Sequence, residues 1–371
     1  MRDVAAELAA WLAAGERAAI ATVVGVGGSA PRPLGATLVA ADRDRLAGSV
    51  SNGCVEAAVY AEAMAALAEG RARVVHYGIS DELAFTVGLS CGGSIDVLVE
   101  PVGPLHERAL AAVRADRAAL LARVVSPADR VGTIALLDGD GWAVPPGPER
   151  VAIEEPARAA LLGPELAAID GPARAALREG LPRRLEVRLG DGREAVVFLE
   201  ALPRAATLVV IGATHVGVAL ARLAKDLGLR VVVADPRAAL ADRGRFPDAD
   251  EILLAWPDEA LARLRVDERT AIVLLSHDPK FDRPGLIAAL RSRAGYVGAI
   301  GSRRTNEQRL AWLREEGFAS ADIERLKAPI GLDIGARTAE ETALAILAEI
   351  VAVGRGRSGT SLSSRSLASV R

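Results

Sequence analysis

From residue 208 to about 353, short aliphatic runs alternate with helix-forming stretches. Residues 208–211, 230–234, 272–276 and 296–300 are the aliphatic runs, and helices are expected from the turn after Ile211 to about Gly228, at 284–292 and at 305–316. Apolar runs of this length suit strands covered on both faces, and strands separated by helices become parallel neighbours through crossover connections. The alternation therefore predicts a doubly wound parallel sheet over residues 205–353. Thr338-Ala-Glu-Glu341 fits a capping box, in which hydroxyl and carboxylate satisfy each other's backbone donors, and opens a last helix to about Val353. Residues 354–371 are rich in Ser, Gly and Arg, contain no acid and have too few apolar residues to pack, so a disordered tail is expected.

Residues 1–200 form a separate α/β domain with a mixed sheet in this reading, since 371 residues at about 100–200 per domain give two domains. An amphipathic helix is expected at 2–14. Strands are expected at 18–26, 36–41, 73–77, 94–99, 132–137, 186–189 and 195–199, and helices from Cys54 to Glu69, at 104–122 and at 155–179. Leu189-Gly-Asp-Gly192 reads as a hairpin turn. The net charge of −3 is interspersed, which leaves no basic face for nucleic acid. No apolar run reaches membrane-spanning length, and the acid-bearing N-terminus does not read as a signal peptide, so a cytoplasmic protein is expected. Two cysteines are too few for a disulfide scaffold. Thiols in a reducing compartment are the expectation, with a Cys54–Cys91 disulfide as the alternative.

Both cysteines lie in glycine-rich loops. Cys54 sits in Gly48-Ser-Val-Ser-Asn-Gly-Cys-Val-Glu56 and Cys91 in Gly88-Leu-Ser-Cys-Gly-Gly93. A helix starting near Gly53 would turn free N–H groups and its positive dipole end toward the Cys54 thiol, which lowers a thiol pKa and attracts anions. The plainer alternative is a small residue buried at a tight helix start. In the second half, Ile211-Gly-Ala-Thr-His-Val-Gly217 joins a strand to a helix, and Asp235 follows 23 residues after Gly212. Gly212 and Gly217 match the first and third glycines of the Rossmann fingerprint, and Asp235 its ribose-binding acid. Thr214 replaces the middle glycine, which argues against an ordinary dinucleotide there. His215 opens the helix, where it either meets a ligand or caps. Ser276-His-Asp-Pro-Lys-Phe-Asp282 and Gly301-Ser-Arg-Arg-Thr305 also follow strands. Arg303 and Arg304 at a helix N-terminus suit phosphate, or else decorate a solvated turn. His277 beside Asp278 signals a shared metal site only weakly, and Asp278 before Pro279 favours a turn. Arg32 stands between two prolines in a loop.

Seven segments together resemble one family. They are Gly28-Ser-Ala-Pro-Arg-Pro-Leu-Gly-Ala36, the Cys54 and Cys91 segments, the Gly212–Gly217 turn, Ser276-His-Asp-Pro-Lys280, Tyr296-Val-Gly-Ala-Ile-Gly-Ser-Arg-Arg-Thr305 and Ala328-Pro-Ile-Gly-Leu-Asp-Ile-Gly-Ala-Arg-Thr338. In this order they resemble the XdhC/CoxI family, accessory factors of xanthine dehydrogenase and carbon monoxide dehydrogenase. The resemblance implies an N-terminal domain with a cysteine motif, a C-terminal Rossmann-like domain, and a molybdenum-cofactor chaperone without turnover of its own. Such a protein binds the molybdopterin cofactor, shields it, assists its sulfuration and hands it to an apo molybdenum hydroxylase of the xanthine dehydrogenase type. Its expected partners are that client, sulfurating or cofactor-supplying proteins and, as a homodimer, a second copy. The cofactor-binding set expected on this basis is Asn52, Gly53, Cys54, Cys91, Arg32, Gly212, His215, Gly217, Asp235, His277, Ser302, Arg303 and Arg304. Cys54 is the expected metal ligand, because a soft thiolate suits molybdenum. Glycine-rich loops in both halves would serve one anionic ligand if they faced each other, as ligand sites favour domain interfaces. The competing functions are an NAD(P)-dependent oxidoreductase and a nucleotide-sensing regulatory module, each using the Rossmann-like half.

Overall fold

The computed structural model describes residues 1–78, 93–144, 164–276 and 278–364. The chain divides into two compact units, Met1–Arg204 and Ala205–Arg371.

The first unit opens with a 3-10 turn, Arg2–Val4, and helix α1, Ala5–Ala13. Strands β1 (Ala18–Gly27), β2 (Thr37–Ala41) and β3 (Arg45–Gly48) precede helix α2 (Glu56–Glu69), and β4 (Arg73–Tyr77) and β5 (Ser94–Pro101) follow it. After helix α3 (Pro104–Arg114) the plan repeats. Strands β6 (Ala119–Ser126), β7 (Ile134–Asp138) and β8 (Gly141–Ala143) precede helix α4 (Pro164–Glu179), and β9 (Arg183–Arg188) and β10 (Glu194–Leu202) close the unit. The strand orders are β3-β2-β1-β5-β4 and β8-β7-β6-β10-β9, one topology used twice.

Every described pairing in these two sheets is antiparallel, where a mixed sheet was expected. The reason lies in the connections. The β2–β3, β6–β7, β7–β8 and β9–β10 partners are consecutive strands joined by short loops, which run antiparallel, and the helix-bearing connections join the two edge strands of each sheet and not neighbours. The helix expected at 104–122 also ends early, at Arg114, and residues 119–126 form β6 instead. Asp116 takes a left-handed conformation (φ 48°), which stops the helix. Beyond it the Ala- and Leu-rich run has helical propensity, but pairing with β10 on one side and β7 on the other overrides it. The β2–β3 hairpin carries no Gly or Asn signal, because Arg43 and Asp44 adopt positive φ themselves.

Alternation sorts the strands' side chains. Ala19, Ala21, Leu38, Val97 and Val99 pack under α2, while Ile20, Val39, Leu121 and Leu136 join α1 and α3 in a second cluster. Val24, Leu98, Val125 and Phe198 meet between the sheets. In this layer Arg123 is fully buried. It donates to Glu100 (2.8 Å), to Thr22 Oγ1 (3.2 Å) and to Glu200, and its guanidinium lies over the Phe198 ring. The Met1 amine also donates to Glu200, at 2.9 Å.

The second unit contains β11 (Thr207–Ile211), α5 (His215–Asp226), β12 (Arg230–Ala234), β13 (Glu251–Leu253), α6 (Pro257–Arg263), β14 (Thr270–Leu274), α7 (Pro279–Arg291), β15 (Tyr296–Ala299), α8 (Arg303–Glu315), α9 (Ser320–Glu324), β16 (Leu326–Lys327) and α10 (Ala339–Gly354). Its sheet is parallel, in the order β13-β12-β11-β14-β15-β16, and the order reverses between β11 and β14. Leu208 and Val210 pack toward α5 and α10, Val209 and Ile211 toward α7 and α8, so both faces are covered. The Thr338–Glu341 capping box opens α10. Beyond α10, Arg357 N donates back to Ala352 O, a 3-10 turn forms at Leu362–Ser364, and residues 365–371 lie outside the described residues. No helix among the described residues is long and apolar enough to cross a membrane.

Candidate functional site

In the first unit, two of the seven segments and Gly93, the last residue of a third, converge at one end of the β1–β5 pair. Asn52 Nδ2, in the loop before α2, donates to Pro31 O at 3.3 Å, in the loop after β1. Gly93, just before β5, lies so close to Ser29 O that a Cβ there would collide with it. Residues 79–92, with Cys91, lie outside the described residues.

The organiser of the Cys54 loop is Glu56. Its Oε1 accepts from Ser49 Oγ (2.6 Å), Ser51 N (2.9 Å) and Val50 N (3.2 Å). Its Oε2 accepts from Gly53 N (2.8 Å), Val55 N (3.2 Å) and Ser51 Oγ. Asn52 and Gly53 supply the positive φ values, 58° and 106°, that wrap the loop around the carboxylate. Burial opposes the charge, but the hydrogen bonds from Ser49 and Ser51 outweigh it and hold Glu56 at about 2. This changes the expected picture. Helix α2 begins at Glu56, not near Gly53, and Gly53 N and Val55 N serve the protein's own carboxylate. Cys54 is half-buried and packs against the cluster that includes Val50, Val55 and Val59.

Arg32 sits in the loop next to Asn52. One terminal nitrogen lies 4.0 Å from Asp3 Oδ2, and its Nε is buried without a hydrogen-bond partner among the described residues. A buried donor without an acceptor suits an anionic ligand group.

Sequence spacing offered no sign of a second pair here. His76 Nδ1 lies 2.8 Å from Asp96 Oδ1, and Arg184 Nη1 lies 3.3 Å from Asp96 Oδ2. The partners are 20 residues apart in the chain and meet only because β4 and β5 place them opposite each other. Gly25, on β1, stands opposite Asp96, and a Cβ there would collide with the Asp96 carboxylate. Among the described residues, no group of three His, Cys, Asp or Glu side chains could hold a metal ion.

In the second unit the glycine turn links β11 to α5. Gly212 has φ 101°, and Gly217 packs so closely that a Cβ would stand 3.3 Å from Gly212 O. Thr214 caps α5, its Oγ1 accepting from Gly217 N at 3.2 Å. His215 is exposed in the first turn. Asp235 is enclosed at the end of β12. Its oxygens accept from Ala213 N (2.9 Å), from Arg237 N and Nε (2.9 Å each) and from Arg237 Nη2 (2.7 Å). Burial opposes its ionisation, but the bonds from Arg237 and Ala213 keep it below the usual carboxylate range.

Ser302 caps α8, and Arg303 and Arg304 are exposed in its first turn. His277 lies outside the described residues. The residue that joins the two neighbouring loops is Arg309, which no motif pointed to. It is buried, and donates to Ser276 O (3.3 Å), to Asp282 (Nε, 3.1 Å), to Asn306 Oδ1 (2.7 Å) and to Ile300 O.

Comparison with known proteins gives matches within both units. Residues 11–78 match the model described as the XdhC and CoxI family, and residues 208–350 the XdhC Rossmann domain. The chain is 28% identical to the molybdenum cofactor insertion chaperone PaoD of Escherichia coli K12 over 342 residues, covering 92% of this chain and 85% of that protein. It is 25% identical to a probable xanthine dehydrogenase subunit of Bacillus subtilis 168 over 339 residues, covering 91% and 93%. A crystal structure titled as a xanthine dehydrogenase from Bacillus halodurans superposes with a TM-score of 0.74 over 97% of both chains at 23% identity, which shows the shared fold. With both characteristic regions matched in order, the chain belongs to the XdhC/CoxI family.

Proposed function

We propose that this protein is a molybdenum-cofactor-binding chaperone that supports maturation of a xanthine dehydrogenase-type molybdenum hydroxylase. The observation that carries this reading is the loop end of the first unit, where the half-buried Cys54 thiol shares a loop with Asn52, which is tied to the segment of Arg32, whose buried Nε has no hydrogen-bond partner among the described residues. Similarity to PaoD along most of the chain supports the same reading. Cys54 would offer a soft sulfur ligand, and Arg32 a donor for a phosphate or other anionic group. The Cys54 loop amides bound to Glu56 would not be donors, because they are already engaged. When bound, the cofactor would supply the oxygen-atom-transfer chemistry of the client, and this chain would hold and shield it. Sulfuration would fall to a separate sulfur-supplying protein, with this chain presenting the cofactor.

An NAD(P)-dependent oxidoreductase draws less support. The acid expected to read a ribose diol, Asp235, is enclosed and fully engaged by Arg237 and Ala213. A nucleotide-sensing regulatory module meets the same obstacle.

The test is to load the protein with molybdenum cofactor and measure bound molybdenum and pterin after gel filtration. Cys54→Ser and Arg32→Ala are expected to lower retention by about tenfold or more, each worth about 1.4 kcal/mol or more, with melting temperatures near the parent's. Parental retention in both variants would defeat the assignment of this loop end.

A further inference from the structure

Helix α10 is apolar on more sides than its own unit covers. From Ala343 to Gly354 its single polar residue is Glu349, which accepts from Tyr296 Oη (2.5 Å) and Gly331 N (2.9 Å). Ala343, Ile346 and Leu347 are buried in the cluster that α10 shares with α5 and the sheet. Leu344 and Val351 are instead 56% and 48% exposed, and Leu227, just after α5, is 52% exposed. With Leu223, Ala348 and Leu362 they line a groove of about 690 Å³. A helix that is apolar all round is ordinarily covered all round, and a continuous apolar surface rimmed by charge is a place for a partner.

The charges identify the partner. Along its outer side α10 presents Glu340, Leu344, Ala348, Val351 and Arg355, at the three- and four-residue steps of one helix face. Glu340 and Arg355 are exposed, and neither forms an ion pair among the described residues. They stand equally far on either side of the bond between Leu347 and Ala348, and so do Leu344 and Val351. A two-fold axis crossing the helix at that bond lays a second α10 antiparallel on the first, and each residue meets the one equally far beyond the axis. Leu344 then faces Val351 of the second copy, and Glu340 faces Arg355 of the second copy, at both ends at once. Ala348 falls at the crossing, where a small side chain lets helices approach closely. The two helix dipoles also oppose each other. A parallel pair would set Glu340 against Glu340 and Arg355 against Arg355. The stripe is therefore complementary to itself in one orientation.

We propose that the outer face of α10 is the interface of a two-fold symmetric homodimer, with Leu344, Ala348 and Val351 at its centre and Glu340–Arg355 pairs between the copies at its ends. The inference goes beyond the chaperone reading and rests on neither Cys54 nor a bound cofactor.

Sedimentation equilibrium of the full chain tests it. The parent is expected to be a dimer at micromolar concentration. Leu344→Glu changes an exposed position, so its circular dichroism should match the parent's. It should weaken the dimer by about a hundredfold or more, because the two-fold places the new charge in the interface twice. Glu340→Arg and Arg355→Glu alone should each weaken it by about tenfold, since each sets like charges face to face at both ends. Mixed in equal amounts, these two variants should recover the parent's affinity as a heterodimer, in which opposite charges meet again at both ends. Should Leu344→Glu fail to fold, the mixture carries the test. A monomeric parent, a folded Leu344→Glu variant that dimerises as the parent does, or a mixture no tighter than its components would each overturn the proposal.

Discussion

Glu56 makes the Cys54 loop self-sufficient in charge. Six donors from Ser49 to Val55 converge on one carboxylate, so the turn keeps its shape with nothing bound. Glu56→Gln keeps the size but loses the charge and one acceptor. It is expected to cost about 2 kcal/mol, or roughly 4–8 °C in Tm. The pH dependence has a definite sign. A carboxylate held at about 2 in the folded state contributes stability that is present above its ordinary pKa of about 4.3 and is lost as pH falls toward 2. Urea melts between pH 5 and pH 2 should show a shallower acid limb in the variant, and identical limbs would remove Glu56 from this role. Gly25→Ala probes the other newly found pair, since its methyl would strike the Asp96 carboxylate and Arg184. A loss of about 1–3 kcal/mol is expected from such overpacking, measured as a lower urea midpoint. The segments of Cys54 and Arg32 were each legible as loops because they carry unusual residues, and the bond from Asn52 to Pro31 that brings them together appears only in the fold. Glu56 stood inside the cysteine motif, but its role emerges only once the chain folds back over the seven residues from Ser49. His76 with Asp96 had no local signal, because cross-strand register brings them together.

At the level of elements, the parallel half was the more legible. Its strands are covered on both faces and therefore read as unbroken aliphatic runs, and the Thr338 capping box marks α10 from sequence alone. Thr338→Ala should cost about 1 kcal/mol by removing that cap, measured as a drop in urea midpoint with unchanged m. The three-residue β13 and two-residue β16 were too short to stand out from loops. In the antiparallel half, β6 was hidden by its Ala and Leu content, and its central Arg123 argued against a buried strand. That arginine is tolerated because two carboxylates wait for it. Arg123→Met should destabilise by about 3–5 kcal/mol, leaving two buried glutamates without their shared cation. Burial alone would raise both acids. The charges of His106 and Arg123 at Glu100, and of the amine and Arg123 at Glu200, pull them below the usual range. Without Arg123 burial should prevail, so the loss measured in urea should be greater at pH 7 than at pH 4. An equal loss at both values would show that the charges are not the cause.

As a whole molecule, the chain is two units with separate cores. A fragment beginning at Ala205 is expected to melt cooperatively by calorimetry, and a broad, non-cooperative trace would show that the second unit needs the first. Within the first unit, the repeated topology went unseen in the sequence because what recurs is strand order, not residue type. Laying one sheet on the other matches Ile20 with Leu121, each opposite a glutamate, Glu100 in one and Glu200 in the other. The next inward-facing positions hold Thr22 and Arg123, opposite Leu98 and Phe198. The acids thus stand at equivalent positions of the two sheets, and the base stands in only one of them. One arginine leaves two glutamates a positive charge short, and the Met1 amine on Glu200 supplies it, so the central layer reaches neutrality only by drawing on a group from outside both sheets.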